Sequence, residues 1–196
     1  MVAREDRRIY LLRHGETEWS RLGKHTGVTD ISLTENGRAA AQRLHSVLAN
    51  ETFGLVLTSP MRRARDTCEL AGLGDAAIIN PDLLEWNYGD YEGLTTSEIR
   101  SKRPDWSLFR DGCPGGESPE QVASRAERII SKMQETERHV ALFAHGHIFR
   151  VLAARWINLP ASHGERFLLD TATLSVLGYY YQTPAVKIWN APIARE

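Results

Sequence analysis

Ile9-Tyr10-Leu11-Leu12 runs directly into Arg13-His14-Gly15-Glu16-Thr17. Four apolar residues stopped by a charged, glycine-bearing loop read as a short strand buried on both faces. Leu55-Val56-Leu57-Thr58, ahead of Ser59-Pro60, reads the same way. Ala76-Ala77-Ile78-Ile79 before Pro81 and Val140 to Ala144 before His145-Gly146-His147 complete a set of four. Between them lie segments with helical spacing. Thr34-Glu35-Asn36-Gly37 opens one in which Ala39, Ala40, Leu44, Val47 and Leu48 supply the apolar face. Ser59 is the expected N-cap of the next, with Pro60 at its first helical position and an end near Ala71. Ser118 to about Glu137 is the longest, and Ile148 to Ile157 follows the fourth strand. Thr173 to Tyr181 and Ala185 to Trp189 form a hairpin around Gln182-Thr183-Pro184. Strands alternating with helices predict one α/β domain over residues 1–196. The expected fold is a three-layer α/β/α sandwich whose central sheet is mostly parallel, with one antiparallel strand from the hairpin.

Composition narrows the function classes. The chain has 196 residues, 42% of them hydrophobic, with 24 Lys+Arg against 25 Asp+Glu. That apolar content supports one sizeable core, and the balanced charge argues against nucleic-acid or membrane-surface binding. No apolar run reaches the ~18 residues of a membrane span, and Met1 to Arg8 is polar with no signal-peptide core. Two cysteines, Cys68 and Cys113, make no disulfide framework, so a cytoplasmic protein is expected. Residues 93–117, with Arg100, Lys102, Arg103, Pro104, Arg110 and Pro114, read as a lid-like surface excursion with little core content. Their cations either bring a second anionic group to the site or are simply solvated.

The reactive residue types collect after the strands. Arg13 and His14 follow the first and Arg62-Arg63 the second; Glu85 lies a short loop beyond the third, and His145 ends the fourth. Open α/β sheets bind ligands at the carboxyl ends of their strands, so one pocket can receive all of them. Guanidinium forks match phosphate oxygens, and a helix N-terminus favours an anion. Arginine beside imidazole keeps a ring nitrogen unprotonated and nucleophilic. A carboxylic acid at Glu85 serves as proton donor if its surroundings raise its pKa. The reaction class this inventory suits is phosphoryl transfer. Arg62 and Arg65 read as a solvated helix face, and His147 as the opening of a helix. His25, His45, His139 and His163 read as surface residues, His25 being the one placed to reach substrate. The tryptophans Trp86, Trp106, Trp156 and Trp189 read as packing residues.

Arg13-His14-Gly15-Glu16-Thr17 resembles the signature of the histidine phosphatase superfamily, which includes phosphoglycerate mutase-like enzymes and acid phosphatases. Thr26-Gly27, Leu33 to Gly37, Ser59 to Thr67, Leu84 to Gly93, Gly116-Glu117-Ser118 and His145-Gly146-His147 resemble the motifs that follow, in family order. The resemblance covers roughly residues 8 to 180. It implies that His14 takes the phosphoryl group, that Arg13, Arg63 and His145 hold its oxygens, and that Glu85 donates a proton and later accepts one. It implies no metal and no cofactor. Ser20, Thr26, Gly27, Ser59, Tyr88 and Gly146 are the implied substrate contacts, although many members carry Asn where this chain has Ser20. Glu85 and His145 are only 60 positions apart, shorter than the mutase pattern. The expectation is therefore a phosphomonoesterase of small phosphorylated metabolites, with phosphoglycerate mutase as the alternative. A protein that binds a phosphorylated ligand without turnover is the reading from another class. The partner expected is a small phosphorylated substrate, and a homodimer is common in the family.

Overall fold

The computed structural model describes residues 5–193. Six strands form one sheet in the order β3-β2-β4-β1-β5-β6. Strands β1 (Ile9–Arg13), β2 (Phe53–Thr58), β3 (Ala77–Ile79) and β4 (His139–Ala144) are mutually parallel. Strand β5 (Thr173–Tyr180) runs antiparallel to β1, and β6 (Thr183–Pro192) antiparallel to β5. The single reversed strand is thus β5, as the hairpin requires. Beyond the described residues lie Met1 to Arg4 of the polar start and residues 194–196.

Each central strand feeds two cores. Ile9 and Leu11 of β1, with Val140, Leu142 and Ala144 of β4, enter the larger cluster. Tyr10, Leu12, Ala141 and Phe143 point the other way, into the smaller. This period-two alternation within continuous apolar runs is what a strand covered on both faces demands. Helices α2 (Glu35–Leu48) and α3 (Arg62–Leu70) cover the smaller cluster. Helices α6 (Pro119–Met133) and α7 (Gly146–Trp156) cover the larger. A four-residue helix, α1 (Glu18–Arg21), lies in the first loop, and α4 (Thr96–Lys102) and α5 (Leu108–Asp111) precede α6. Ser118 caps α6 reciprocally with Gln121, satisfying two end groups at once.

Three expectations are corrected here. The buried face of α2 is Gly37, Ala41, Leu44 and Leu48, while Ala39 is exposed and Val47 is 38% exposed. Steps of four, three and four residues follow the helical period; Ala39 and Val47 fall off that stripe. Helix α3 begins at Arg62 with Met61 at the N-cap, not at Ser59-Pro60. The role expected of Ser59 falls to Asp30, whose carboxylate accepts from the Arg62 N–H at 2.8 Å. Residues 93–117 are not poor in core. Ile99, Trp106, Leu108, Phe109 and Cys113 join the larger cluster, and the charges occupy the outward side of two short helices. At ~1.5–3 kcal/mol per buried large side chain, this segment is anchored rather than loosely laid on the surface.

Candidate active site

The parallel pairing of β1 with β4 sets the site. Arg13 is in register with Ala144, so the residues that follow, His14 and His145, emerge side by side. Their rings lie 5.2 Å apart, and the His14 N–H donates to the Ala144 carbonyl at 3.0 Å. Strand β2 flanks β4, with Thr58 opposite Phe143. That places Ser59 beside His145 and sends α3 off with Arg63 fully buried. The loop bearing His14 is held by two glycines in contact: a Cβ on Gly15 would meet the Gly37 carbonyl oxygen at 2.4 Å.

Tautomers follow from the hydrogen bonds. His14 Nδ1 lies 2.7 Å from the Gly15 carbonyl oxygen. A carbonyl only accepts, so Nδ1 carries the proton and Nε2 keeps its lone pair. Arg63 Nε donates to His145 Nδ1 at 3.1 Å. His145 must therefore be protonated on Nε2, which donates to Ser59 Oγ at 2.8 Å. Burial, with Arg13 and Arg63 next in effect, holds His14 well below the ordinary histidine pKa. Burial and Arg63 do the same for His145. Both rings are neutral at pH 7.

Arg63 also donates to backbone: Nη1 to the Thr29 carbonyl, and Nη2 to those of Thr26 and Gly27, at 3.0–3.1 Å. Four of its five N–H groups are thereby used. Arg13 donates to the Leu169 carbonyl through Nη1, while its buried Nε–H meets no acceptor among the described residues. An unpaired buried donor costs ~1–3 kcal/mol.

Glu85 reaches this pocket from the loop beyond β3. Its carboxylate accepts from the Trp86 and Ile148 N–H groups at 2.9 Å and from the His147 N–H at 3.0 Å. Burial alone would raise its pKa, but the bonds to His147 and the neighbouring His145 outweigh it and hold the group well below the carboxylate norm. The expectation of a raised pKa is overturned: the first turn of α7 solvates the anion. Arg125 fixes the segment, donating from Nη1 to the Asp82 and Leu84 carbonyls at 2.7 Å while pairing with Glu117 at 2.8 Å.

A cavity of about 210 Å³ opens over these groups, lined by Arg13, His14, Ser20, Thr26, Glu85 and Tyr88 among others. Gly27 and Ser59 lie behind it: Gly27 presents its carbonyl to Arg63, and Ser59 supports His145. Gly146 leaves room for Arg13, whose Cζ a Cβ there would meet at 3.3 Å. The Ser20 hydroxyl is spent on its own helix, accepting from the Thr17 N–H and donating to the Thr17 carbonyl, both at 2.9 Å. Tyr88 is likewise engaged. Burial raises its phenol pKa, and the hydroxyl is hydrogen-bonded to His147 Nδ1 at 2.6 Å. The wall also includes His25, the one surface histidine expected to reach substrate, and His147, read from sequence only as the opening of a helix. His25 is buried against Tyr88, with ring centres 4.7 Å apart. The signal available for His147 was its place in the first turn of α7, one residue past Gly146.

A mixed α/β sheet carrying two neutral histidines, buried arginines and a carboxylate at its carboxyl edge defines a phosphoryl-transfer site. A family model for the histidine phosphatase superfamily (branch 1) matches residues 9–192, and the chain belongs to that family. It is 43% identical to an acid phosphatase of Mycobacterium tuberculosis (strain H37Rv) over 176 residues, covering 88% of this chain and 86% of that one. It is 37% identical to sedoheptulose 1,7-bisphosphatase of Saccharomyces cerevisiae, over 78% of this chain and 68% of the relative. The solved structure of open reading frame Rv3214 from Mycobacterium tuberculosis superposes with a TM-score of 0.92 at 40% identity, over 96% of this chain and 100% of that chain. The chain is a phosphoric monoester hydrolase. No described helix is long and apolar enough to cross a membrane.

Proposed function

We propose that this phosphatase hydrolyses small phosphomonoesters through a phosphohistidine on His14. The observation that carries the reading is the His14 Nδ1–H bond to the Gly15 carbonyl, which leaves Nε2 as the nucleophile beside a cavity of fixed cations. The Nε2 lone pair attacks phosphorus, and the ester P–O bond breaks toward the alcohol oxygen. The ring then bears a positive charge, which the Gly15 carbonyl stabilises through Nδ1–H. Arg13, which lines the cavity, stabilises the transferring oxygens, while Arg63, held by His145, adds its charge from behind.

Glu85 is ionised in the free enzyme, so the leaving group's proton arrives with the substrate. A phosphomonoester monoanion carries one, which Glu85 accepts and passes to the departing oxygen. In the second half, Glu85 takes a proton from water as the hydroxide attacks phosphorus. The P–N bond breaks, His14 returns to its neutral form, and inorganic phosphate leaves with the proton held by Glu85. The same reading places the enzyme in the cytoplasm, supported by free, buried Cys68 and Cys113. It makes the partner a small phosphorylated molecule rather than nucleic acid, supported by the balanced charge.

Release of inorganic phosphate from p-nitrophenyl phosphate, in stoichiometry with nitrophenol, is the expected result. Interconversion of phosphoglycerates with no phosphate released, or no turnover at all, would overturn it.

A further inference from the structure

Arg63 is a fully buried cation whose described acceptors are all neutral: His145 Nδ1 and the carbonyls of Thr26, Gly27 and Thr29. A charge taken out of water needs an opposite charge close by. Burial lowers the pKa of this guanidinium, and Glu85, Asp30 and Glu92 are the carboxylates that oppose the shift. Glu92 grips the loop that Arg63 grips. Both its oxygens accept from the Gly27 N–H, at 2.9 and 3.0 Å, and Oε1 also accepts from the Thr29 N–H at 3.0 Å. The Thr26 carbonyl and the Gly27 N–H are the two ends of one peptide group. That peptide stands between anion and cation, with a charge-assisted bond at each end. So close an approach requires glycine at position 27. A Cβ there would meet Glu92 Oε2 at 2.8 Å and the Trp86 carbonyl oxygen at 2.6 Å. Backbone bonds also fix the strip beside Glu92: the Gly93 N–H donates to the His25 carbonyl and the His25 N–H to the Leu94 carbonyl, each at 2.8 Å.

We infer that Glu92 is a positioning residue for phosphoryl transfer, acting through the Thr26–Gly27 peptide on Arg63 and through Arg63 on His145. Residues 26–29 belong to no helix or strand, so their carbonyls hold the guanidinium only while their own N–H groups are held in turn. Without the carboxylate the Arg63 fork loses its fixed acceptors, and His145 Nδ1 loses the donor that sets its tautomer. Glu92 is not among the residues that line the cavity over His14, so its effect on rate runs through position alone. Glu85 and Glu92 leave the same segment beyond β3. That one stretch carries the proton-handling acid and anchors the buried arginine. The inference rests on the phosphatase reading above and adds the support that keeps its cation in place.

The test is a double-mutant cycle with p-nitrophenyl phosphate, joined to nitrogen NMR of the labelled histidine rings. Glu92→Ala is expected to lower kcat about tenfold with KM changed less than about twofold. In an Arg63→Lys background the same change is expected to cost less than about twofold, because the group it acts through is already gone. The His145 ring signals should shift in Glu92→Ala, while those of His139, at the opposite end of β4, stay in place. Should Glu92→Ala fail to fold, Glu92→Gln, which keeps an accepting oxygen, replaces it in both measurements with a loss of about threefold expected. A loss that adds fully to that of Arg63→Lys, an unchanged kcat, or a His145 signal that does not move would overturn the assignment. Absence of turnover by the wild type would instead overturn the phosphatase reading, and the His145 signal alone would then decide the role of Glu92.

Discussion

Arg63 Nε donates to His145 Nδ1 at 3.1 Å, and that bond decides which nitrogen of the second histidine carries a proton. With Nδ1 accepting, Nε2–H can only donate, and Ser59 Oγ receives it. Lysine has no fork and cannot hold His145 while bonding three loop carbonyls. Arg63→Lys is expected to lower kcat/KM for p-nitrophenyl phosphate by ~10²-fold or more. A loss below threefold would show that the guanidinium geometry is dispensable.

Ser59→Ala leaves the His145 Nε2–H buried without its acceptor. The expected destabilisation is ~1–3 kcal/mol in urea unfolding, accompanied by a fall in kcat. An unchanged midpoint would mean that the hydroxyl is not what fixes the ring.

Arg125 acts at a distance from the reacting atoms, through the backbone that carries Glu85. Lysine keeps a charge for Glu117 but cannot hold the Asp82 and Leu84 carbonyls at once. Arg125→Lys is expected to lower kcat about tenfold, with KM for p-nitrophenyl phosphate changed little. A rise in KM at constant kcat would assign the residue to binding instead.

His25 gives a pH prediction with a definite sign. Burial, and then His147, lower its pKa to about 4, against ~6.5 in the unfolded chain. Between those values the unfolded state binds more protons, so stability rises with pH and is lost on acidification through this window. From pH 8 to pH 5 this group alone accounts for roughly 2 kcal/mol of lost stability. His25→Asn should show a correspondingly shallower decline of the urea midpoint. Identical slopes in both proteins would contradict the buried, neutral ring.

The sequence showed the central strands and the clustering of His14, Arg63 and His145 because both rest on local patterns. Continuous apolar runs mark strands covered on two faces, and reactive residues at their carboxyl ends meet wherever those strands pair. The properties that stayed hidden depend on distant partners. Glu85 is ionised by N–H groups of residues 147 and 148, which no spacing near Glu85 announces. Tyr88 is occupied by His147, 59 residues away. Trp106 and Phe109 lie among charges that masked their common inward face, so that segment read as a lid. Helix α3 began two residues late because Asp30, from another loop, supplies the cap that Ser59-Pro60 suggested locally.

Rapid quenching of the enzyme during turnover, into alkaline denaturant, tests the mechanism most directly. Peptide mass spectrometry should then find one phosphoryl group on His14, stable in alkali and lost in acid. His14→Ala should lack it and turn over more than ~10³-fold more slowly. A phosphoryl group on any other residue, or near-normal turnover by His14→Ala, would contradict the account.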